Sequence, residues 1–263
     1  GGSVRAPAAL CGLAGYRATL GRGDWRGGAH LAQSFDTMGW LFTDLRDAPL
    51  LTAPFARGEA IVQAPITRFA AVDESFLEGC EPQILACFRG AMEEIRAQGL
   101  KDATVDASWW HEALEIYAPI QAWEAARIHA GHFAHFEDAI RERLEWGARI
   151  SDAEIAALRQ RHREFRTRMD ALLREHEILL LPATPVARLA AGADHSQTRR
   201  RLLRYTTPFS LAGVPVVTAP FPSRGQAGGV QMAAAHGRDE DLLALAARIG
   251  AQRMLTDSSR NAC

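Results

Sequence analysis

Apolar positions in this chain recur at two spacings, and the changes from one to the other mark out its elements. Arg68-Phe-Ala-Ala-Val72 is a short apolar run with the length of a strand. Pro82 opens a helix and Gly99 closes it, and between them Ile84, Leu85, Phe88, Met92 and Ile95 recur at helical spacing. Ala103-Thr-Val-Asp-Ala107 reads as the return strand. The three elements form a βαβ unit, which implies parallel pairing and a right-handed crossover. Trp109 to Trp146 reads as helical and aromatic. Ser151-Asp-Ala-Glu154 has the spacing of a capping box and starts a long helix with a stripe of Ile155, Leu158, Phe165, Met169 and Leu172. That helix runs into Ile178-Leu-Leu-Leu181, an apolar run stopped by Pro182-Ala-Thr-Pro185 and read as a buried strand. Arg17 to Asp47 is rich in turns, and Leu189 to Arg204 reads as a polar, arginine-rich loop. Met254 to Cys263 reads as a disordered polar tail. No repeat, low-complexity segment or linker interrupts the pattern. It predicts one α/β domain over residues 1–250 and a polar tail over 251–263.

Composition narrows the functional classes. Apolar residues make up 48 % of the 263, enough to fill a substantial core, and the formal net charge is −1. That charge provides no global field for nucleic acid, and no apolar run reaches the length of a membrane span. Neither nucleic acid nor a membrane is therefore expected as a partner. Cys11, Cys80, Cys87 and Cys263 include no Cys-x-x-Cys pair and no zinc spacing to a histidine. This usage fits a reducing cytoplasm, and Cys11 is expected to be buried. The chain opens on Gly1 with neither a Met nor a signal peptide, which reads as a natural start removed or never captured. Lys101, the sole lysine, falls in a Gln-Gly-Leu-Lys-Asp turn and is expected to be solvated. His129, His132 and His135 fall at i, i+3 and i+6, where a helix holds only the first two on one face. They read as a half-exposed helix face, and no metal or cofactor is expected.

The chemistry sits at the beginning. Alone, Gly1-Gly2-Ser3 serves as well for a flexible linker as for a backbone that approaches a substrate closely. Pro7 suits the first turn of a helix, and Ala8 to Leu13 reads as that helix, with Gly12 or Gly15 near its end. Ser3 would then lie just before a helix N-terminus. Free N–H groups and a partial positive charge there would stabilise an oxyanion formed when Ser3 attacks a carbonyl. The plain alternative for Ser3 is an N-cap.

Several blocks, in order, resemble one family. The stretch from Ser3-Val-Arg-Ala-Pro-Ala-Ala-Leu-Cys-Gly to Leu20-Gly-Arg22 resembles the signature block of the amidase signature family. Leu31-Ala-Gln-Ser-Phe-Asp-Thr-Met-Gly-Trp40, the Leu179 to Pro185 element, Thr206 to Pro220 and Gly229 to Leu243 resemble further blocks of the same family. One departure is Ser210, where the family usually has Asn. The resemblance covers Gly1 to about Ile249. It implies an α/β/α fold around a central mixed sheet, the C-terminal two-thirds of the family's domain. It also implies an amidase that releases a carboxylic acid and an amine or ammonia from a small-molecule amide, without a cofactor.

For residues, the resemblance implies that Ser3 is the nucleophile of a Ser–cis-Ser–Lys system. The N–H groups of Gly1, Gly2 and Ser3 would line an oxyanion hole. The lysine and the bridging serine both precede the nucleophile in the family pattern, so neither falls within these residues, and the 263-residue chain alone is expected to be inactive and poorly soluble. The Gly1 amine and Lys101 make poor substitutes as base. Arg5 matches the family's signature arginine, with an ion pair to an acidic partner and a substrate contact both open. Ser34 and Asp36 are expected to bond the loop backbone. Two other readings are a protein like the A-subunit of the glutamine-dependent tRNA amidotransferases and a non-catalytic amidase-like scaffold. The former is disfavoured because Leu203 and Arg204 stand where such proteins carry an acidic residue. A homodimer is a candidate assembly.

Overall fold

The computed structural model describes residues 1–52, 65–221 and 228–260. The strands are β1 (Ala14–Arg17), β2 (Gly39–Phe42), β3 (Arg68–Val72), β4 (Lys101–Val105), β5 (Ile178–Pro182), β6 (Val216–Pro220) and β7 (Gly229–Ala234). They join in one seven-stranded sheet of order β2-β1-β6-β7-β5-β3-β4. β3 pairs in parallel with β4 and β5, and the other neighbours are antiparallel, so the sheet is mixed. The helices are α1 (Arg5–Cys11), α2 (Ala48–Thr52), α3 (Pro82–Ala97), α4 (Ala113–Ile128), α5 (Asp138–Arg149), α6 (Asp152–His176), α7 (Ser196–Ala212) and α8 (Asp239–Arg260).

The βαβ unit forms as β3-α3-β4. Its return strand begins at Lys101 rather than Ala103, because Lys101 N donates to Thr67 O at 2.8 Å and starts the ladder earlier. The capping box closes in both directions. Glu154 N donates to Ser151 Oγ at 3.2 Å, and Ser151 N donates to Glu154 Oε2 at 2.9 Å. β5 is buried at every position between β7 and β3, as an unbroken apolar run requires when both faces are covered.

The register fixes which side of the sheet receives α1. Gly15 pairs with Thr218, and Thr218 with Gln231, so these three share a face. α1 docks there because Gly15 and Gly229 offer no side chain to push Ala8 and Ala9 away. A Cβ at Gly229 would come within 2.5 Å of Ala9 Cβ. The neighbouring Tyr16 faces the other side, where its hydroxyl donates to Asp239 Oδ1 at 2.6 Å. Asp239 begins α8 and also accepts from Thr19 N at 2.9 Å and Thr19 Oγ1 at 2.6 Å. Helices therefore cover both faces, giving the α/β/α layering.

The structure corrects further expectations. Residues 196–204 are not loop but the first turns of α7, which continues to Ala212. Its stripe of Leu202, Leu203, Tyr205 and Phe209 starts too late for the polar first turn to reveal it. The helix expected over Trp109–Trp146 is broken between α4 and α5. α4 ends at Ile128, so His129, His132 and His135 lie in the connection and share no α-helix face; His135 ends a single 3-10 turn, Phe133–His135. Among the described residues no group of three or more His, Cys, Asp or Glu could hold a metal ion. Cys11 is exposed, because α1 turns Ala8 and Ala9 toward the sheet and leaves its last residue outside. Finally, α8 extends through Arg260 into the stretch read as a disordered tail, while 261–263 lie outside the described residues. Among the described residues no helix is long and apolar enough to cross a membrane.

Candidate active site

Ser3 sits in the turn that enters α1, with its side chain exposed. Together with Gly1, Gly2, Arg5, Arg17 and Tyr117 it lines a cavity of about 330 Å³. A larger cavity, about 740 Å³, lies between the end of β3 and α3, away from Ser3 and all its neighbours. The backbone before Ser3 explains the glycine. Gly2 has φ +89°, and a Cβ there would approach Thr206 Oγ1 to 2.7 Å, so conformation and space both exclude a side chain.

Among the described residues the N–H groups of Gly2 and Ser3 meet no protein acceptor. The nitrogen of Gly1 does: it donates to the Tyr117 hydroxyl at 2.5 Å. Of the two glycines expected to face an oxyanion, Gly2 thus keeps a free N–H, and Gly1 is held by Tyr117. No side chain among the described residues hydrogen-bonds the Ser3 hydroxyl.

Arg5 lies directly beneath and is 1 % exposed. Among the described residues it meets no carboxylate. Its Nη1 donates to Gln231 Oε1 at 2.6 Å, and its Nη2 donates to Thr206 O at 2.8 Å and Ser210 Oγ at 2.5 Å. Of the two roles open for Arg5, the ion pair is absent among the described residues, and neutral acceptors take its place. Gln231 is itself held by donating to Pro182 O at 3.0 Å and Tyr205 O at 2.9 Å. Ser210, at the position where the family usually has Asn, serves Arg5 as one of three acceptors.

Arg17, one strand away, is also buried and donates to Val214 O at 2.6 Å. Burial first, then the charge of Arg17, pushes the Arg5 guanidinium down to about 9. Burial likewise pushes Arg17 down to about 10. Tyr117 is pushed up to about 12, again mainly by burial, so its hydroxyl stays protonated.

Asp36 lines the same cavity and closes its own loop, accepting from Leu31 N at 2.6 Å and Ala32 N at 2.8 Å. Ser34 does not bond its own loop. Its N–H donates to Glu124 Oε2 of α4 at 2.9 Å, and its hydroxyl donates to the other oxygen of the same carboxylate. Lys101 is exposed on β4, the edge strand at the far end of the sheet from β1 and β2.

Sequence reasoning singled out Ser3, Gly1, Gly2 and Arg5, and the fold brings all four to one place. It passed over Arg17, Gln231 and Tyr117. The first two lay inside motif blocks and could have been read from them. Tyr117 carries no motif, and only the packing of α4 brings it to Gly1.

The mixed sheet, the covering helices and a serine at the mouth of a short helix define an α/β protein of the amidase signature fold. The chain belongs to the Amidase family, whose model matches residues 1–243. It is 25 % identical over 295 residues to the A-subunit of the glutamyl-tRNA(Gln) amidotransferase of Synechococcus sp. (strain RCC307), covering 94 % of this chain and 61 % of that protein. A crystal structure of an amidase superposes with a TM-score of 0.84 at 28 % identity, over 95 % of this chain and 61 % of that one. 6-Aminohexanoate cyclic dimer hydrolase, at 20 % identity and a TM-score of 0.77, shares the fold over 94 % of this chain and 62 % of its own. The chain thus spans about three-fifths of the length of the relatives it matches.

Proposed function

We propose that Ser3 is the nucleophile of an amidase. Its hydroxyl oxygen attacks the amide carbonyl carbon while its proton passes to a base. The tetrahedral oxyanion collapses to an acyl-enzyme, and the amine or ammonia leaves with a proton. Water then attacks the ester and releases the carboxylic acid. The observation that carries this reading is Ser3 exposed on a small cavity, beside the unpartnered N–H of Gly2 and above two buried guanidiniums. Those N–H groups and cations favour negative charge where the oxyanion forms.

The base is proposed to be a lysine acting through a bridging serine, both N-terminal to Gly1 as the family resemblance implies. Arg5 and Arg17 suit that assignment, because two neighbouring cations in a buried site keep a lysine amine neutral and able to accept a proton. The exposure of Lys101 at the far sheet edge argues against it as the base. Glutamine as substrate is disfavoured, because Leu203 and Arg204 occupy the stretch of α7 where an acidic residue would hold its amino group. The substrate is proposed to be a small-molecule amide and the setting cytoplasmic.

The test is hydrolysis of simple amides by the natural protein that carries this chain, with and without Ser3→Ala. We expect a loss of at least about a thousandfold in kcat, the scale of removing a nucleophile. Retained activity in the variant would remove Ser3 from the mechanism. Ser3-dependent hydrolysis by residues 1–263 alone would show that the base lies within them and would overturn the lysine assignment.

A further inference from the structure

The cavity that holds Ser3 has an apolar part that the chemistry of the nucleophile does not use. Besides Gly1, Gly2, Arg5 and Arg17, its lining includes Trp25, Leu31, Phe35 and Met38. All four come from the connection between β1 and β2, so one segment builds this part of the wall. Phe35 is buried. Leu31 is 44 % exposed, and Trp25 and Met38 are half-buried, so apolar surface stays open beside the Ser3 hydroxyl.

Two features make this more than a loop over the site. The first is that the segment is fixed in place. Asp36 Oδ2 accepts from Leu31 N at 2.6 Å and Ala32 N at 2.8 Å, which seats Leu31 at the cavity. The Thr37 hydroxyl donates to Ala18 O and Thr19 O, each 3.1 Å away. Met38 packs where Gly23 has no side chain, since a Cβ there would come within 2.6 Å of Met38 Sδ. The Trp25 ring stacks on His30 with 4.3 Å between centroids, and His30 Nδ1 lies 3.5 Å from Asp36 Oδ2. The Phe35 ring lies 4.5 Å from that of Tyr117, the residue that holds Gly1. A wall held this way has little freedom left to lose when a ligand covers it. The second feature is that the charged groups of the cavity are engaged with the protein itself. Arg5 donates to Gln231, Thr206 and Ser210, and Arg17 donates to Val214 O and, at 3.3 Å, to Phe35 O. Asp36 is the one carboxylate of the lining among the described residues, and it accepts from its own loop. A charged substituent would give up its hydration here without gaining a ready partner.

We propose that Trp25, Leu31 and Met38 are specificity-determining residues that select an uncharged amide carrying one aromatic or bulky apolar group, with Phe35 as the buried floor beneath it. Such a group removes the open apolar surface from water. A planar ring suits the indole of Trp25 and the thioether of Met38, both of which favour aromatic contacts. The cavity, about 330 Å³, lies at the lower end of the range for small-ligand pockets, which suits a single ring. The proposal rests on Ser3 as the reacting group, and it can be tested without turnover.

The experiment is a ligand-detected NMR titration of the natural protein that carries this chain, with Ser3→Ala to stop turnover. The probes are phenylacetamide, acetamide, anionic succinamate and cationic glycinamide. Phenylacetamide should bind at least about ten times more tightly than acetamide, and more tightly than either charged amide. Adding Trp25→Ala or Met38→Ala should lower the ratio of phenylacetamide to acetamide affinity at least about threefold. Leu31→Ser, at an exposed position where folding is little affected, should lower it as well, and melting curves identify the variants that fold. Equal affinity for phenylacetamide and acetamide overturns the proposal, as does a ratio unchanged in every folded variant. Tighter binding of succinamate or glycinamide than of phenylacetamide also overturns it, because charge and not the apolar wall would then select the substrate. A failure of Ser3 as nucleophile shows in the hydrolysis assay, and a failure of this proposal shows in the titration.

Discussion

Arg5 is a buried cation whose partners are all neutral. It is tolerated because three acceptors, Gln231 Oε1, Thr206 O and Ser210 Oγ, surround its guanidinium. Gln231 is the hub, since it also satisfies two buried carbonyls. Gln231→Leu removes an acceptor from Arg5 and leaves Pro182 O and Tyr205 O without that donor. It should cost about 2–4 kcal/mol in urea unfolding; an unchanged midpoint would mean that the network is not structural. A second residue-scale prediction concerns pH. Burial, more than any other cause, lowers the pKa of His162, whose Nε2 lies 2.7 Å from Leu211 O, and also that of His236. Below about 6.5 the unfolded chain binds protons that the folded histidines refuse. Stability should therefore fall as pH drops from about 6.5 through the folded pKa values and stay flat just above. His162→Gln should shrink that slope in urea midpoints taken between about pH 7.5 and 5.5, a window set on either side of the ordinary histidine pKa. An identical slope would exclude His162 as its source. At this scale the motif blocks revealed Ser3, Gly2 and Arg5. They could not reveal that Arg5 lacks an anion, because its acceptors come from β7 and α7, more than two hundred residues away in sequence.

At the level of elements, the docking of α1 decides where Ser3 stands. The helix lies on the sheet at Gly229, where an added methyl would meet Ala9 Cβ at 2.5 Å and Ala9 Cα at 2.9 Å. Gly229→Ala should cost about 1–3 kcal/mol through overpacking. It should also lower activity beyond what stability explains, because a displaced α1 carries Ser3 with it. Thermal melts and kcat measured on one sample separate the two effects, and a kcat equal to that of the unaltered protein would deny the coupling. The elements legible beforehand were those with a long apolar period or a capping box, namely β3, α3, α6 and β5. α7 was not, since Ser196 to Arg201 is polar and its stripe becomes readable only where helix and sheet already bury it. The break between α4 and α5 was missed for the opposite reason: apolar and aromatic residues continue through it.

For the molecule as a whole, the pattern of strands gave a parallel βαβ core, but the antiparallel half depends on pairings between distant segments. β1 lies beside β6 and β5 beside β7, contacts that no local period encodes. The sheet ends at β2, where Leu41 is 48 % exposed and Trp40 half-buried. An exposed apolar edge is a template for strand pairing. The isolated 263-residue chain should therefore self-associate with rising concentration in sedimentation, and Leu41→Lys should reduce this; a monomer with a cooperative melt over the same range would refute it. The central claim, that the fold exists to present Ser3 as a nucleophile, is tested most directly by covalent trapping. The natural protein carrying this chain should be treated with a fluorophosphonate and the adduct located by peptide mass spectrometry. The account predicts a single adduct on Ser3 that forms in step with loss of amide hydrolysis. An adduct elsewhere with the same loss of activity, or full modification of Ser3 with activity intact, would contradict it.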